Sequence, residues 1–150
     1  MAADLKKYSI LSEMSDEMLA VFSGYLMARR FKQGSLIFVE EMQGESLFFI
    51  ESGIISLTKM AAEGAEKRLA QLGPGESFGE LAVIDAGPRA VTARAVEDTE
   101  TLIFSREGLV RLSMERPDIA VVFVLSLFRR TIWMVRRNVP LLTESLGVES

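Results

Sequence analysis

Residues 78–93 read Phe-Gly-Glu-Leu-Ala-Val-Ile-Asp-Ala-Gly-Pro-Arg-Ala-Val-Thr-Ala. The stretch sets a carboxylate, Glu80, and a guanidinium, Arg89, nine positions apart on either side of a tight loop. A guanidinium pairs two N–H donors with two phosphate oxygens, so Arg89 is suited to neutralising a cyclic phosphodiester, and Glu80 to accepting from a sugar hydroxyl. Gly79 has no Cβ and lets the backbone come close to a ligand. The N–H groups of Glu80, Leu81 and Ala82 open a short helical turn, whose N-terminal end favours an anion.

Composition narrows the classes around this loop. At 150 residues and 49% apolar content the chain is long enough to bury a core and too apolar for disorder, and it reads as one domain, 1–150. With no Cys there is neither a disulfide framework nor a thiolate metal site. With no His the usual general base near neutral pH and the commonest metal ligand are both missing. No nucleophile with its base and orienting group stands out, so neither an enzyme nor a cofactor or metal is expected. The adjacent acids Glu40 and Glu41 read as a solvated turn. A net charge of −4 argues against a nucleic-acid surface, which needs a basic patch to release counterions. The N-terminus lacks a signal-like apolar run, and the apolar stretch Ile119–Leu125 falls far short of the roughly 20 residues that span a bilayer. A cytoplasmic location without a membrane span is therefore expected.

Local patterns divide the chain into three parts. Asp4–Tyr8 and Asp16–Phe22 read as helices within a helical start at about 4–24, the second with Ser15 as its N-cap. From about 27 to 105, glycines at 34, 44, 53 and 64 and the Gly73-Pro74-Gly75 turn punctuate short β-rich runs. Candidate strands are Met27–Lys32, Leu36–Val39, Leu47–Glu51, Ile54–Met60, Glu66–Leu72, Ala90–Val96 and Thr101–Phe104. Ile55 and Leu57 alternate with Ser56 and Thr58, which predicts one buried and one wet face. Short strands at near-even spacing read as a sandwich or jelly roll. After Ser105, an expected N-cap, the chain turns helical through Glu115, and Pro117 opens a longer helix expected to end near Asn138, ahead of Pro140. Within it Val121, Leu125, Phe128, Ile132, Val135 and Val139 form a heptad-like row opposite Ile119, Phe123 and Leu127. Such a row packs on its own barrel or on a second copy of the chain.

The cassette at 78–93 resembles the phosphate-binding cassette of the cyclic nucleotide-binding domain family, which includes catabolite activator protein and the regulatory subunits of protein kinase A. The likeness extends to Gln33-Gly-Ser-Leu-Ile-Phe, to Ser46-Leu-Phe-Phe-Ile-Glu-Ser-Gly, to Leu72-Gly-Pro-Gly-Glu-Ser, and to Arg116-Pro-Asp at the start of the last helix. It implies an α+β fold: an eight-stranded β-roll (jelly roll) with N-terminal helices, a short cassette helix, and two C-terminal helices, B and C, at about 106–139. By the same resemblance Glu80 accepts from the ribose 2′-hydroxyl and Arg89 binds the cyclic phosphate. Phe78, Gly79, Leu81, Ala82, Ala90 and Val91 complete that end of the site.

Family members that prefer cGMP often carry Thr or Ser directly after the cassette arginine. Here that residue is Ala90, without a side-chain donor or acceptor, which tilts the expected ligand toward cAMP over cGMP. The family's C-terminal helix covers the base. Aligned from Pro117, the covering positions fall at Met134 and Val135, with Trp133 alongside and Arg130 one turn earlier, where it can pair with Glu80. The resemblance thus implies a cyclic nucleotide receptor, dimeric through its last helix, whose C-terminal helices move about a hinge at Met114–Asp118. The alternatives are a member that keeps the fold for partner binding without nucleotide, and the regulatory part of a larger channel, kinase or transcription regulator.

Overall fold

Residues 47–50, Leu-Phe-Phe-Ile, are apolar at every position, and a strand of that pattern needs cover on both faces. The structure, a computed structural model that describes residues 4–147, supplies it. In chain order the strands are β1 (Met27–Phe31), β2 (Leu36–Phe38), β3 (Gln43–Gly44), β4 (Ser46–Ser52), β5 (Ile55–Met60), β6 (Glu66–Leu72), β7 (Ser77–Phe78), β8 (Gly87–Pro88), β9 (Thr92–Ala95) and β10 (Thr99–Ser105). All pairings are antiparallel, in two four-stranded sheets ordered β1-β10-β4-β7 and β2-β9-β5-β6 and a two-stranded ribbon β3-β8. This is the expected α+β roll. The strands number ten among the described residues, against the seven candidates read from the sequence and the eight the resemblance implies; the seven candidates miss β3, β7 and β8, two-residue pairings with no periodic signature of their own.

Strand β4 joins two cores. Phe48 and Ile50 point into the roll and meet Phe31, Phe38, Ile55 and Phe78. Leu47 and Phe49 point the other way, into a second core with Phe22, Phe104, Leu112, Ile119, Phe123 and Leu127. Side chains two apart on a strand share a face, so this one strand fastens the helices to the roll. On β5 the predicted wet face is absent: Ser56 and Thr58 are buried. They stand opposite Gln71, Arg94 and Arg68, whose long side chains share their face, and Thr58 Oγ1 bonds Glu66 Oε1 at 2.6 Å.

The helical parts follow their caps. The first predicted helix is instead two 3-10 turns, Leu5–Lys7 and Ser9–Leu11. α1 (Asp16–Ser23) starts where Ser15 accepts from Met18 N–H, and α2 (Arg106–Glu115) where Ser105 accepts from Gly108 N–H. α3 (Pro117–Ser145) runs through Pro140, contrary to the predicted end at Asn138. Proline deprives the Arg136 carbonyl of its helical partner and costs about 3 kcal/mol in a helix interior. Residues 133–141 around it are exposed, and Thr143 Oγ1 donates to Val139 O at 2.8 Å. Ile119, Phe123 and Leu127 are buried, whereas Val121, Leu125, Phe128, Val135 and Val139 of the heptad-like row are exposed, Phe128 at 60%. Ile132 is half-buried. Among the described residues no helix is long and apolar enough to cross a membrane.

Candidate ligand-binding site

The two-residue strand β7 delivers the chain to the cassette. Phe78 pairs with Phe48 across β4 and stacks on its ring, centroids 5.0 Å apart, so the residue that follows is fixed relative to the roll. That residue, Gly79, takes φ +77, a left-handed conformation that side chains resist, and turns the chain into a 3-10 helix over Glu80–Val83. Val83 anchors the turn in the helix-side core. The N–H groups of Glu80 and Leu81 head the turn, where helical geometry gives them no internal acceptor. Ala82 N–H is turned onto Gly79 O at 3.3 Å.

Arg89 comes back to the same place on the β3–β8 ribbon. Its N–H donates to Met42 O and its carbonyl accepts from Glu41 N–H, both at 2.8 Å, beside the pairings Gln43–Pro88 and Gly44–Gly87. Glu41 holds φ +73, the sole non-glycine with positive φ among the described residues, so the turn that seats Arg89 is strained. The guanidinium, on a residue only 8% exposed, lies over the Phe38 ring at 4.1 Å. Nη1 donates to Gly79 O at 3.3 Å and Nη2 to Ser46 O at 2.9 Å. Nε is buried with no hydrogen-bond partner among the described residues. Burial pushes the guanidinium pKa down from its ordinary value. Two glycines clear its seat: a Cβ on Gly44 would lie 2.1 Å from Arg89 Nε, and one on Gly79 2.7 Å from Nη1.

Glu80 is held from the other side. Arg130 of α3 places Nε 3.2 Å from Glu80 Oε1 and donates from Nη1 to Ser9 Oγ, also at 3.2 Å. One guanidinium thus ties the last helix to the cassette and to the N-terminal turns.

Between cassette and α3 lies a cavity of about 700 Å³. It collects Phe78, Gly79, Glu80, Leu81, Ala82, Arg89, Ala90, Val91, Arg130, Met134 and Val135, so the structure brings together every sequence-predicted site residue except Trp133. Trp133 lies on an adjoining groove of about 670 Å³ that shares Arg130 and Met134 with the cavity and adds Ser9, Ile10, Glu13, Ser126 and Arg129, its ring 5.1 Å from the Arg137 guanidinium. The reason is helical phase: at about 100° per residue, Trp133 is turned well away from the stripe that faces the cavity. Sequence reasoning missed Phe38, Leu57 and Leu72 on the apolar wall, and Asp85, Thr131 and Asn138 at the rim. The 131/134/135/138 spacing is one helical stripe and was readable once Met134 and Val135 were chosen. An apolar wall with an arginine and a carboxylate converging at one end suits a flat ring attached to a sugar and an anion.

The family model for the cyclic nucleotide-binding domain matches residues 28–116. A cyclic AMP receptor protein from Thermus thermophilus is 35% identical over 126 residues, 84% of this chain and 58% of that relative. The solved catabolite activator protein of Thermus thermophilus superposes with a TM-score of 0.78 at 32% identity, covering 90% of this chain and 63% of that one. The N-terminal domain of a transcriptional regulator from Streptomyces coelicolor superposes with a TM-score of 0.82 at 25% identity, covering 89% and 94%. The chain thus spans less than two thirds of the curated relative's length. With the cassette, the roll and the matched span in agreement, the chain belongs to the cyclic nucleotide-binding domain family.

Proposed function

We propose that this domain is a receptor for a cyclic nucleotide, cAMP in preference to cGMP, and that binding repositions its C-terminal helices. The observation that carries the reading is Arg89, a buried charge with two of its five N–H donors spent on backbone carbonyls and Nε–H unpaired among the described residues, in the lining of a cavity that Glu80 shares. A cyclic phosphate supplies the acceptors and the counter-charge that this guanidinium lacks. Ala90 at the rim offers no hydroxyl to a guanine amino group, which favours adenine.

Movement follows from who holds Glu80. Arg130 of α3 pairs with it. A ribose hydroxyl arriving at Glu80 shares that carboxylate, while the base meets Met134 and Val135 on the same helix. A ligand shifts a conformational equilibrium only by its differential affinity for the two states, and these contacts are that difference. The hinge is the break between α2 and α3 at Arg116. The exposed row from Val121 to Val139 supports a homodimer through α3. The domain acts as a binding module rather than an enzyme, in the cytoplasm. Catalytic or nucleic-acid functions of a longer protein would reside outside it, and the transcriptional regulators among its relatives make such an output reasonable. Retention of both Glu80 and Arg89 disfavours a nucleotide-free partner module. Thermal unfolding with increasing cAMP tests the reading. A ligand that binds only the folded state raises Tm with concentration, and a Tm that stays constant up to millimolar cAMP contradicts it.

A further inference from the structure

Ser126, Arg129, Arg130 and Trp133 stand at positions i, i+3, i+4 and i+7 of α3 and form one stripe, turned well away from the row of Leu125, Phe128 and Ile132. Across the groove of about 670 Å³ they meet Ser9, Ile10 and Glu13 of the N-terminal segment. Ser126 is 9% exposed, and its Oγ is buried with no hydrogen-bond partner among the described residues. A hydroxyl inside a helix ordinarily donates to the carbonyl four residues back, as Thr131 and Thr143 do on this same helix. Leaving a buried hydroxyl unbonded is unfavourable, so Ser126 is a donor and acceptor without its partner. Charge around it is positive. Arg129 Nη1 donates to Glu13 Oε2 at 2.6 Å, Arg130 Nη1 to Ser9 Oγ, and the Arg137 guanidinium lies over the Trp133 ring. Three guanidiniums thus stand in or beside the groove against one carboxylate that lines it, Glu13. Ile10, Met134 and Trp133 supply apolar walls, with Trp133 58% exposed.

We propose that this groove is a second ligand site, for a small aromatic carboxylate, distinct from the nucleotide cavity. The aromatic body lies against Trp133 and Met134, where stacking and sulfur contacts favour a flat ring. The carboxylate accepts from Arg129 and Arg130, since a guanidinium matches a planar acceptor with two oxygens. Ser126 supplies the remaining hydroxyl donor. One negative charge suits the groove better than the two of a phosphate monoester, because Glu13 already answers Arg129. The site does not depend on the receptor reading, but it touches it through Arg130, which also pairs with Glu80. Any change that one ligand makes in the other's affinity is therefore reciprocal.

Calorimetric titration of the full chain with 2-naphthoate, beside its neutral amide, tests the site. Saturable binding of one naphthoate per chain is expected, with the amide about 10-fold weaker. Ser126→Ala is expected to weaken naphthoate by about 3- to 10-fold. The same substitution raises the denaturant midpoint of the free chain, because it removes an unbonded buried hydroxyl and places a better helix former there. Arg129→Gln weakens the acid by about 2- to 5-fold, as its charge is exposed, and leaves the amide unchanged. Arg89→Ala, which lies in the nucleotide cavity and not in the groove, keeps naphthoate binding intact. The proposal is overturned if naphthoate does not bind, if acid and amide bind alike, or if Ser126→Ala leaves the affinity unchanged. Loss of naphthoate binding in Arg89→Ala would place the probe in the nucleotide cavity and remove the second site as well.

Discussion

Arg89 is costly to bury, and its surroundings show what the cost supports. The guanidinium rests on Phe38 and is bonded to two carbonyls, while the strained Glu41 turn and two glycines hold open its seat. Arg89→Ala removes the counter-charge of the phosphate, a loss of roughly 2–5 kcal/mol at buried charge pairs. That is on the order of 30-fold to several thousand-fold in cAMP affinity. The unliganded protein is expected to lose only about 1 kcal/mol in denaturant unfolding, because relief of a buried charge offsets the lost carbonyl bonds. An Arg89→Ala chain that unfolds while its surviving fraction binds cAMP normally would make the residue structural. Gly44→Ala tests the seat without touching the charge. Its Cβ meets the flexible end of Arg89, so the fold should persist while the guanidinium is displaced. Losing one charge-assisted bond to the ligand costs about 1.5–3 kcal/mol, on the order of 10- to 100-fold in affinity. Unchanged binding by that variant would show that the seat tolerates a shifted Arg89.

At the scale of elements, legibility in the sequence depended on whether a structure is local. Glu80 and Arg89 were readable because the cassette is one short string, and Ser15 and Ser105 because an N-cap is decided by the residues that follow it. The β3–β8 ribbon was not, since Gly44, Gly87 and Pro88 are poor strand formers and pair only because tertiary contacts bring them together. Trp133 is a neighbour of Met134 in sequence but not in helical phase, which turns it to the adjoining groove. Asn138 lines the cavity on the same stripe as Met134 and Val135. Pro140 reads as a stop, yet α3 continues past it along a stretch whose residues are exposed. The heptad-like row on α3 leaves Leu125 and Phe128 exposed. If the row is a seam between two copies, Phe128→Glu places an unpaired charge there in each subunit and dissociates the dimer. Sedimentation is expected to show dimers for the wild type and folded monomers for the variant. A wild type that is monomeric at high concentration, with and without nucleotide, would contradict the seam.

For the molecule as a whole, the two cores meeting on β4 make the roll a rigid wall and leave α3 attached mainly by its first half, where Ile119, Phe123 and Leu127 are buried. The second half covers the cavity with exposed residues and is tied to the cassette by Arg130. A firm roll, a strained arginine seat and a lightly held helix are the parts a ligand-responsive domain requires. The class of the fold was evident from strand spacing and the cassette, while the division of the core around one strand emerged only from the register. The central claim is that this assembly binds a cyclic nucleotide. Isothermal titration of the chain with cAMP, run beside cGMP, tests it most directly. The account predicts saturable binding of one cAMP per chain, tighter than cGMP. Absence of any heat or fluorescence change at millimolar cAMP would contradict it.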